Sequence, residues 1–384
     1  MPTRQGFVAL GAGAGALVVG RVFSILELLI IGTAMIVAVV FGVIYVSLRI
    51  PRVTASRWAR PAMLSVGDVG TVDIELVYGG AIRSPRFLVE ESIRQPGDSS
   101  QISLLGVESL RAGGRIRTGY ELPTTRRGRV ELGPLAIVLT DSLGVARRTR
   151  MVADTDHVVV APKAYQVPMP ILGSGPLGQQ LLAQARRLGF GEFHSLREYV
   201  DGDEPRSIHW RASARSESLL VKQRTLNGLR RSLIVLDPDS KSYADRASFE
   251  RAVTASASLI TSAFHHELAT RFVTGQGIDL RGPDVAANAL KILASIEPSV
   301  VPLRALDRDP GEGIGLVVVV TGAPGSTGWA AVGAIVDPAV TVVPVTTDAA
   351  PRSKLGVGAR TDDEFLTSWQ ALAGSRRPRS RATP

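Results

Sequence analysis

The chain has 384 residues, enough for more than one domain, and its composition, 45% hydrophobic and 21% charged, is that of a globular protein. The absence of cysteine excludes disulfides, cysteine-ligated zinc and a thiol nucleophile, and only five histidines are available as metal ligands. The net charge of +9 comes almost wholly from arginines spread along the chain, and only 5% of residues are aromatic, so we do not expect a nucleic-acid partner.

Two uncharged segments near the start of the chain predict a pair of membrane helices. Residues 28–48, LLIIGTAMIVAVVFGVIYVSL, are long enough at about 1.5 Å per residue to cross a hydrocarbon layer of about 30 Å. Residues 6–20 are shorter and rich in Gly and Ala, and they span only if Arg21 extends its guanidinium to the interface. We therefore expect a transmembrane helical hairpin over residues 1–50.

The arginines that flank this hairpin predict its orientation. Basic residues near membrane helices are enriched on the cytoplasmic side. They stand on both sides of the hairpin, at Arg4, Arg49, Arg52, Arg57 and Arg60. We therefore expect a multi-pass protein of the plasma membrane with its soluble domains on the cytoplasmic side.

Residues 51–165 predict an antiparallel β-sandwich of the immunoglobulin-like type. Short runs of alternating apolar and polar residues, such as TVDIELVY (71–78) and RFLVEESI (86–93), are separated by Gly, Pro and Asp turns. No part of this region shows the apolar periodicity of a helix over enough residues to predict one. The Pro- and Gly-rich segment that follows, residues 166–190, is predicted to be a linker that ends in a short helix, QQLLAQARRLG (179–189).

The pattern changes again over residues 231–373, which predict a doubly wound α/β domain. Strands that are nearly continuous in Val, Ile and Leu, such as SLIVLD (232–237), alternate with helical segments, which is typical of a parallel sheet covered on both faces. A capping box at Thr361 and Glu364 is expected to begin the last helix. The basic tail, residues 374–384, has no large apolar residues to bury and is expected to be disordered.

Residues 191–230, between these regions, carry charges of both signs beside large apolar side chains. Arginine can bind carboxylates through two hydrogen bonds, so such a mixture suits an ion-pair network around an aromatic anchor. Two interpretations are open: the network braces its own domain, or it presents a rigid surface to a protein partner, where Trp, Tyr and Arg contribute most of the binding energy. The candidate residues of this charged block are Arg197, Glu198, Tyr199, Asp203, Arg206, Trp210, Ser213 and Arg215.

An enzymatic interpretation of the charged block is also open. His194 or His209 could act with Ser213 or Asp203 in a hydrolase, but only their closeness in sequence favours this. The chain has no GxSxG elbow and no phosphate-binding loop with its lysine. We therefore expect a protein that is not an enzyme.

The charged block resembles a known family, the bacterial domain-of-unknown-function 58 (DUF58) proteins. Their hallmark has the form L-R-E-Y-x-x-G-D-x-x-R-x-I-x-W-x-x-S-A-R, which Leu196 to Arg215 match at twelve positions. The likeness extends to Thr3, Arg4 and Gly6 at the start of the chain, to Arg126–Gly128, and to Gly133 with Pro134. A turn of the family reads D-P-F-G-L, and this chain departs from it with Asp141, Ser142, Leu143, Gly144 and Val145.

The resemblance implies a membrane hairpin, a β-domain and a C-terminal von Willebrand factor A-like domain. It also implies a partner, a MoxR-type AAA+ ATPase, and a role in the assembly or maturation of other proteins or in envelope processes, with other envelope proteins as further partners. No enzymatic activity is implied. A purely structural membrane protein remains the alternative.

The resemblance to von Willebrand A domains raises the question of Mg²⁺. Those domains hold the ion through Asp-x-Ser-x-Ser at the end of the first strand, because a hard cation needs oxygen ligands. Here Asp237 is in place, but Asp239 and Lys241 stand where the two serines are expected. We therefore expect a site with little or no metal, in which Asp237, Asp239 and Ser240 are the ligands for any Mg²⁺.

Overall fold

The computed structural model describes residues 1–61, 63–97, 100–187, 192–201, 205, 208–225, 231–275, 277–300, 303, 315–326, 329–330 and 340–374. The chain divides into two compact units, Met1–Ala161 and Pro162–Pro384.

The first unit begins with two apolar helices, α1 (Arg4–Phe23) and α2 (Leu26–Arg49), both long and apolar enough to cross a membrane. They pack closely where glycines face each other, because a Cβ at Gly32 would lie 2.7 Å from the carbonyl oxygen of Gly13. The two predicted apolar segments are therefore confirmed as helices that could span, and the first one extends to Phe23.

The rest of the first unit consists of two sheets. The three-stranded sheet has the order β1-β3-β6, all antiparallel, and the larger one has the order β2-β9-β7-β4-β5, with β8 paired to β7. Strand β2 runs parallel to β9, so the larger sheet is mixed. The strands are β1 (Val53–Arg60), β2 (Leu64–Ser65), β3 (Gly70–Tyr78), β4 (Phe87–Arg94), β5 (Gln101–Val107), β6 (Arg115–Leu122), β7 (Gly128–Thr140), β8 (Arg147–Ala153) and β9 (Asp156–Ala161).

One hydrophobic core joins the two sheets. Alternate residues of a strand point to the same face, and Val72, Ile74 and Leu76 of β3 share this core with Val89 of β4 and Ile137 of β7. Arg57 of β1 is one of the arginines that predict the cytoplasmic side, and that orientation stays a prediction. Its side chain is 6% exposed and paired with Glu91, so it is held inside this unit.

Near the start of the second unit lie residues 166–190, which were predicted to be a linker that ends in a short helix. The helix is confirmed at Gly175–Arg187, but the linker prediction is wrong for the residues that the structure describes. Val167 and Leu177 are buried in the main core of the unit. The backbone N–H of Val167 donates to Ser262 Oγ, and Trp369 Nε1 donates to the carbonyl of Pro168. The sequence interpretation weighed the prolines and glycines, but the apolar residues between them are what fold this segment onto the domain.

A six-stranded mixed sheet forms the centre of the second unit, in the order β14-β13-β12-β15-β16-β17. Five strands are parallel, and β14 is antiparallel to β13 at one edge. The strands are β12 (Arg231–Leu236), β13 (Ala269–Thr274), β14 (Ile278–Leu280), β15 (Gly315–Thr321), β16 (Val342–Thr346) and β17 (Val357–Gly358), and a short pair, β10 (Glu192–Glu198) and β11 (Leu220–Thr225), lies outside this sheet. The helices are α3 (Gly175–Arg187), α4 (Trp210–Ser213), α5 (Arg246–His265), α6 (Val285–Ser295) and α7 (Asp362–Ala373).

Both faces of the parallel sheet are buried, as the near-continuous apolar strands predict. Ile234 and Val318 lie in the core that includes the helices, whereas Val235 and Val319 lie in a second core on the opposite face. Strand order reverses at β12, since β13 lies on one side of it and β15 on the other. The carboxyl ends of β12 and β15 therefore form the switch point where open α/β sheets place ligands.

The last helix, α7, begins as predicted after its cap residue, although only half of the capping box is present. Thr361 Oγ1 accepts from the backbone N–H of Glu364 at 3.1 Å. The Glu364 carboxylate turns to Arg360 instead, accepting from its backbone N–H at 2.9 Å and from its guanidinium at 2.7 Å. The predicted tail from residue 375 onward lies outside the described residues.

Candidate functional site

The charged block folds as a strand pair with one helical turn between the strands. Strands β10 and β11 are antiparallel, with Arg197 opposite Val221 and Glu198 opposite Leu220. The helical turn α4 follows Ile208, which forms an isolated bridge with Val221. Val221 and Ile208 are both buried, so the apolar residues of the block supply its interior.

Two hydrogen bonds fix α4 against β11, and a third caps the turn itself. The backbone N–H of His209 donates to the carbonyl of Leu220 at 2.8 Å, and the N–H of Leu220 donates to Ser213 Oγ, also at 2.8 Å. His209 Nδ1 caps the turn by accepting from the N–H of Ala212 at 3.1 Å. Leu220 thus holds both ends of this four-residue helix, which gives α4 a fixed position on the strand pair.

The apolar side chains at the outer surface of the block are unusually exposed. Trp210, the first residue of α4, is 64% exposed, and Val200 and Leu219 are 62% and 44% exposed. Large aromatic side chains are highly buried on average in folded proteins. An exposed tryptophan on a fixed turn is therefore the feature of the block that most needs an explanation.

The charged side chains of the block lie mostly at its surface. Arg211 and Arg215 are exposed, and no carboxylate pairs with either of them in the part of the chain that the structure describes. Glu198 Oε1 accepts from Ser218 Oγ at 3.1 Å, and Arg197 Nη1 donates to the carbonyl of Glu198 at 3.0 Å. The predicted ion-pair network remains a prediction, since two of its members lie outside the described residues, Asp203 and Arg206.

Tyr199 and Ser213 support the block from within. The backbone N–H of Tyr199 donates to the carbonyl of Leu219 at 2.8 Å and continues the strand pairing. Ser213 is buried and bonded to the backbone of Leu220, while His209 Nδ1 caps α4. Ser213 and His209, the two members of the hydrolase hypothesis whose side chains the structure describes, therefore both form hydrogen bonds that stabilise the block. Its other members are the His194 side chain and Asp203, which lie outside what the structure describes.

A second candidate site lies at the switch point of the parallel sheet, around Asp237. This carboxylate is completely buried. Its Oδ2 accepts from Ser242 Oγ at 2.7 Å and from Thr321 Oγ1 at 3.0 Å, and its Oδ1 accepts from the N–H of Asp239 at 3.1 Å. Three protein donors therefore satisfy the oxygens of a carboxylate that has no access to water.

The predicted magnesium ligands do not converge there. Ser240 is exposed, and Asp239 Oδ1 accepts from the backbone N–H of Lys241 at 3.0 Å. Among the residues that the structure describes, no group of three or more His, Asp or Glu side chains could hold a metal ion. The Ser242 and Thr321 hydroxyl oxygens beside Asp237 are of the kind that a hard cation accepts, so the expectation of little or no Mg²⁺ stays a prediction.

Sequence reasoning missed two residues of this site, Ser242 and Asp348. Ser242 lies one position beyond the segment that was compared with the metal motif, yet its hydroxyl is the one that reaches Asp237. Asp348 Oδ2 accepts from the N–H of Ala244 at 2.8 Å, and its Oδ1 lies 3.7 Å from Arg251. The available signal was the set of hydroxyl and acidic residues at or just after the ends of β12, β15 and β16.

The Tyr243 side chain contacts the backbone of Asp237 at this site. Its hydroxyl donates to the carbonyl of Asp237 at 2.6 Å, and its ring meets Phe249 edge-on with centroids 5.1 Å apart. Burial, together with the nearby charge of Asp237, raises the pKa of Tyr243 well above its usual value. Tyr243 therefore stays protonated and acts as a hydrogen-bond donor.

Comparisons with solved structures give only distant likenesses. A β-glucosidase from Erythrobacter marinus matches 29% of this chain at 12% identity with a TM-score of 0.22, and the chain spans only 15% of that enzyme. The ApaA protein from Bordetella pertussis matches 29% of this chain and 94% of its own length, at 11% identity and a TM-score of 0.22. A CARDB domain from Pyrococcus furiosus matches 29% of this chain and 88% of its own, at 13% identity and a TM-score of 0.20. At such TM-scores these likenesses carry no argument about function.

No curated protein gives a significant match to the sequence. A family model does match; the match begins within β10, includes α4, β11, β12 and α5, and ends within β13. The description of this model is "Protein of unknown function DUF58", and residues 195–273 of the chain are similar to that family.

Proposed function

We propose that this chain is a membrane-anchored, non-enzymatic interaction protein of the DUF58 type, and that its charged block binds a partner protein. The partner that the family resemblance favours is a MoxR-type AAA+ ATPase at the cytoplasmic face of the plasma membrane. Its clients are other envelope proteins whose assembly or maturation the pair assists.

The observation that carries this proposal is the exposure of Trp210 on a fixed turn. The hydrogen bonds of His209 and Ser213 hold α4 in place, so little conformational entropy is lost when a partner covers the indole. Tryptophan is also among the residues that contribute most to binding energy at protein interfaces. Val200 and Leu219 supply further apolar surface within the same block.

Charge adds a preference for acidic partners. Arg211 and Arg215 are exposed on and just after α4. Arginine binds carboxylates through paired hydrogen bonds, and exposed basic groups accelerate encounter with an acidic surface. We therefore expect the partner surface to combine an apolar pocket for Trp210 with acidic side chains around it.

The membrane anchor supports the cytoplasmic location in this proposal. The start of α1 and the end of α2 lie at the same end of the hairpin, and both carry arginine, at Arg4 and Arg49. By the positive-inside rule this end faces the cytoplasm.

The domain types that the family resemblance implies are part of the same proposal. They are an immunoglobulin-like arrangement for the two sheets of the first unit and a von Willebrand A-like type for the second unit. The buried Asp237 at the switch point of the second unit favours the latter.

Affinity capture from membranes tests the proposal. The full-length tagged chain would be purified in detergent as wild type, as Trp210→Ala and as Phe264→Ala, which removes another exposed aromatic side chain of the same unit, 53% exposed. We expect the wild type and Phe264→Ala to capture an AAA+ ATPase equally. Trp210→Ala should weaken capture about 30-fold, since loss of a central interface residue costs about 2 kcal/mol or more.

Thermal unfolding of the three purified chains provides the control for folding. The proposal fails if no AAA+ ATPase is captured above background by the wild type. It also fails if Trp210→Ala captures as much as Phe264→Ala, and the structural alternative, in which the block serves only its own domain, would then be favoured.

A further inference from the structure

The turn between β7 and β8 is joined to the start of α1 by backbone and side-chain hydrogen bonds. The N–H of Thr3 donates to the carbonyl of Val145 at 2.9 Å, and Thr3 Oγ1 donates to the carbonyl of Gly144 at 2.6 Å. The contact requires glycine at position 6, because a Cβ there would lie 2.1 Å from the oxygen of Val145. The β-sheet domain is thus fixed to the end of the apolar hairpin.

The last turns of α2 contact the same part of the sheet. Val46 shares a small buried core with Leu139 and Ala146, and Arg148 Nη1 donates to the carbonyl of Ser47 at 3.2 Å. With 24 residues α2 is about 36 Å long, more than the roughly 30 Å of a hydrocarbon layer. If α2 spans a membrane, its last turn therefore lies at the depth of the lipid headgroups.

A cleft of about 900 Å³ opens at this junction. Its lining includes Thr3 and Arg4 at the start of α1, Val43 and Ser47 on α2, and Arg148 and Thr149 on β8. The lining therefore combines the apolar side chain of Val43 with hydroxyl and guanidinium groups.

The charge of the cleft is positive. Arg147 also lines it, but Glu90 Oε2 accepts from its guanidinium at 2.5 Å and balances its charge. The nearby Asp141 carboxylate is engaged by the N–H groups of Leu143 and Ala146 in its own turn. Within the described part of the chain, no carboxylate forms an ion pair with the other two arginines of the lining, Arg4 and Arg148.

We propose that this cleft binds the phosphate of an anionic phospholipid headgroup, with Arg4 and Arg148 as its ligands. The inference rests on the proposal that α1 and α2 span the membrane. A lipid fits better than free phosphate because exposed apolar side chains, including Val40, Ile44 and Leu48, continue along α2 and offer a surface for the acyl chains. Bound lipid would join hairpin and sheet at the point where Thr3 and Arg148 already connect them.

Lipid titration of the full-length chain in neutral detergent tests the site. Short-chain phosphatidylglycerol, short-chain phosphatidylcholine and inorganic phosphate would be added in turn, with binding measured by native mass spectrometry and by the shift in Tm. The test variant is Arg4→Gln with Arg148→Gln. The matched control is Arg150→Gln, an exposed arginine of the same strand that does not line the cleft.

We expect the wild type and Arg150→Gln to prefer phosphatidylglycerol, and millimolar inorganic phosphate not to displace it. The double variant should bind phosphatidylglycerol about 30-fold more weakly, which is about 2 kcal/mol at about 1 kcal/mol for each arginine near an anionic headgroup. Equal affinity for both lipids, equal weakening in Arg150→Gln, or displacement by inorganic phosphate would each overturn the lipid site.

Extraction of membranes with alkaline carbonate separates this inference from the membrane anchor on which it rests. A chain that resists extraction but shows no lipid preference contradicts only the headgroup site. A chain that carbonate releases contradicts the spanning hairpin, and with it both proposals.

Discussion

Arg57 in the first unit and two arginines of the charged block in the second unit have opposite environments. In the first unit, Arg57 lies among the strands with its side chain 6% exposed, and it is paired with Glu91, which is 1% exposed. In the second unit, Arg211 and Arg215 of the charged block lie in solvent. All three are arginines in charge-rich sequence, so the sequence alone does not separate a structural arginine from one that is available to a partner.

The burial of the partner carboxylate, Glu91, distinguishes Arg57 from the exposed arginines of the charged block. Arg57 also donates to the carbonyl of Asp154 at 2.7 Å, so the guanidinium serves two acceptors inside the unit. Burial and the charge of Glu91 raise the pKa of the neighbouring Tyr120, which keeps its phenol neutral. The buried carboxylate of Glu91 thus requires its arginine, whereas no buried carboxylate faces Arg215 among the described residues.

The largest expected effect tests the buried member of this comparison. Arg57→Ala leaves Glu91 buried without its counter-charge, and we expect a loss of about 3–5 kcal/mol in the free energy of unfolding. Urea unfolding of the full-length chain in detergent measures this. The control is Arg60→Ala, whose partner Asp73 is partly exposed at 3.1 Å, and it should cost less than about 1 kcal/mol. A smaller loss for Arg57→Ala than for Arg60→Ala would contradict the assignment.

The second prediction concerns the buried carboxylate of the other unit, which relies on neutral donors. Thr321→Val keeps the shape of the side chain but removes the hydroxyl that donates to Asp237 at 3.0 Å. Loss of a hydrogen bond to a charged group costs about 1.5–3 kcal/mol, so this much destabilisation is expected in urea unfolding. Thr367→Val, at an exposed position of α7, is the control and should change stability by less than about 0.5 kcal/mol. Equal effects of the two variants would show that Asp237 does not need this donor.

The sequence predicted those elements whose signals are local. The apolar runs that became α1 and α2, the alternating strands of the first unit and the apolar strands β12 and β15 all follow from periodicity and length. Thr361 was identified as a cap because a helix start has a short-range signature.

The features that the sequence did not predict depend on contacts between residues that are far apart in the chain. Val167 belongs to the core because Ser262, far away in the chain, accepts its N–H, and a Pro-rich segment gives no sign of such a contact. The ligand environment of Asp237 was predicted from a motif ending at Lys241, but the chain places Ser242 and Thr321 there instead. The structural role of Arg57 was not predicted, because burial of its partner Glu91 on another strand has no local signature in the sequence.

The third prediction tests the ion pair of Arg271 and Asp279, in which the arginine is buried and the aspartate is partly exposed. Two hydrogen bonds from Arg271, at 2.8 and 2.6 Å, hold the pKa of Asp279 at about 2, with Arg281 assisting. In the unfolded chain this pKa is about 4, so the folded state favours the ionised form. The stabilisation is complete above about pH 4 and is lost as pH falls towards 2. Urea unfolding between pH 2 and 5 should show this slope in the wild type.

Asp279→Asn should flatten that slope, whereas Asp284→Asn, a change at an exposed aspartate that follows the same edge of the sheet, should keep it. An unchanged slope in Asp279→Asn would mean that other carboxylates determine stability in this range of pH.

The smallest expected effect tests the exposed member of the comparison. Arg215→Ala should change the free energy of unfolding by no more than about 0.5 kcal/mol, because the guanidinium lies in solvent and surface substitutions of this kind are nearly neutral. Its backbone N–H still donates to the carbonyl of Ala212 at 3.0 Å in the variant, so the turn after α4 is retained. Urea unfolding checks the stability, and the capture experiment checks the partner. A loss of several kcal/mol would place Arg215 with Arg57 as a bracing residue, whereas neutral stability with weaker capture assigns it to the partner surface.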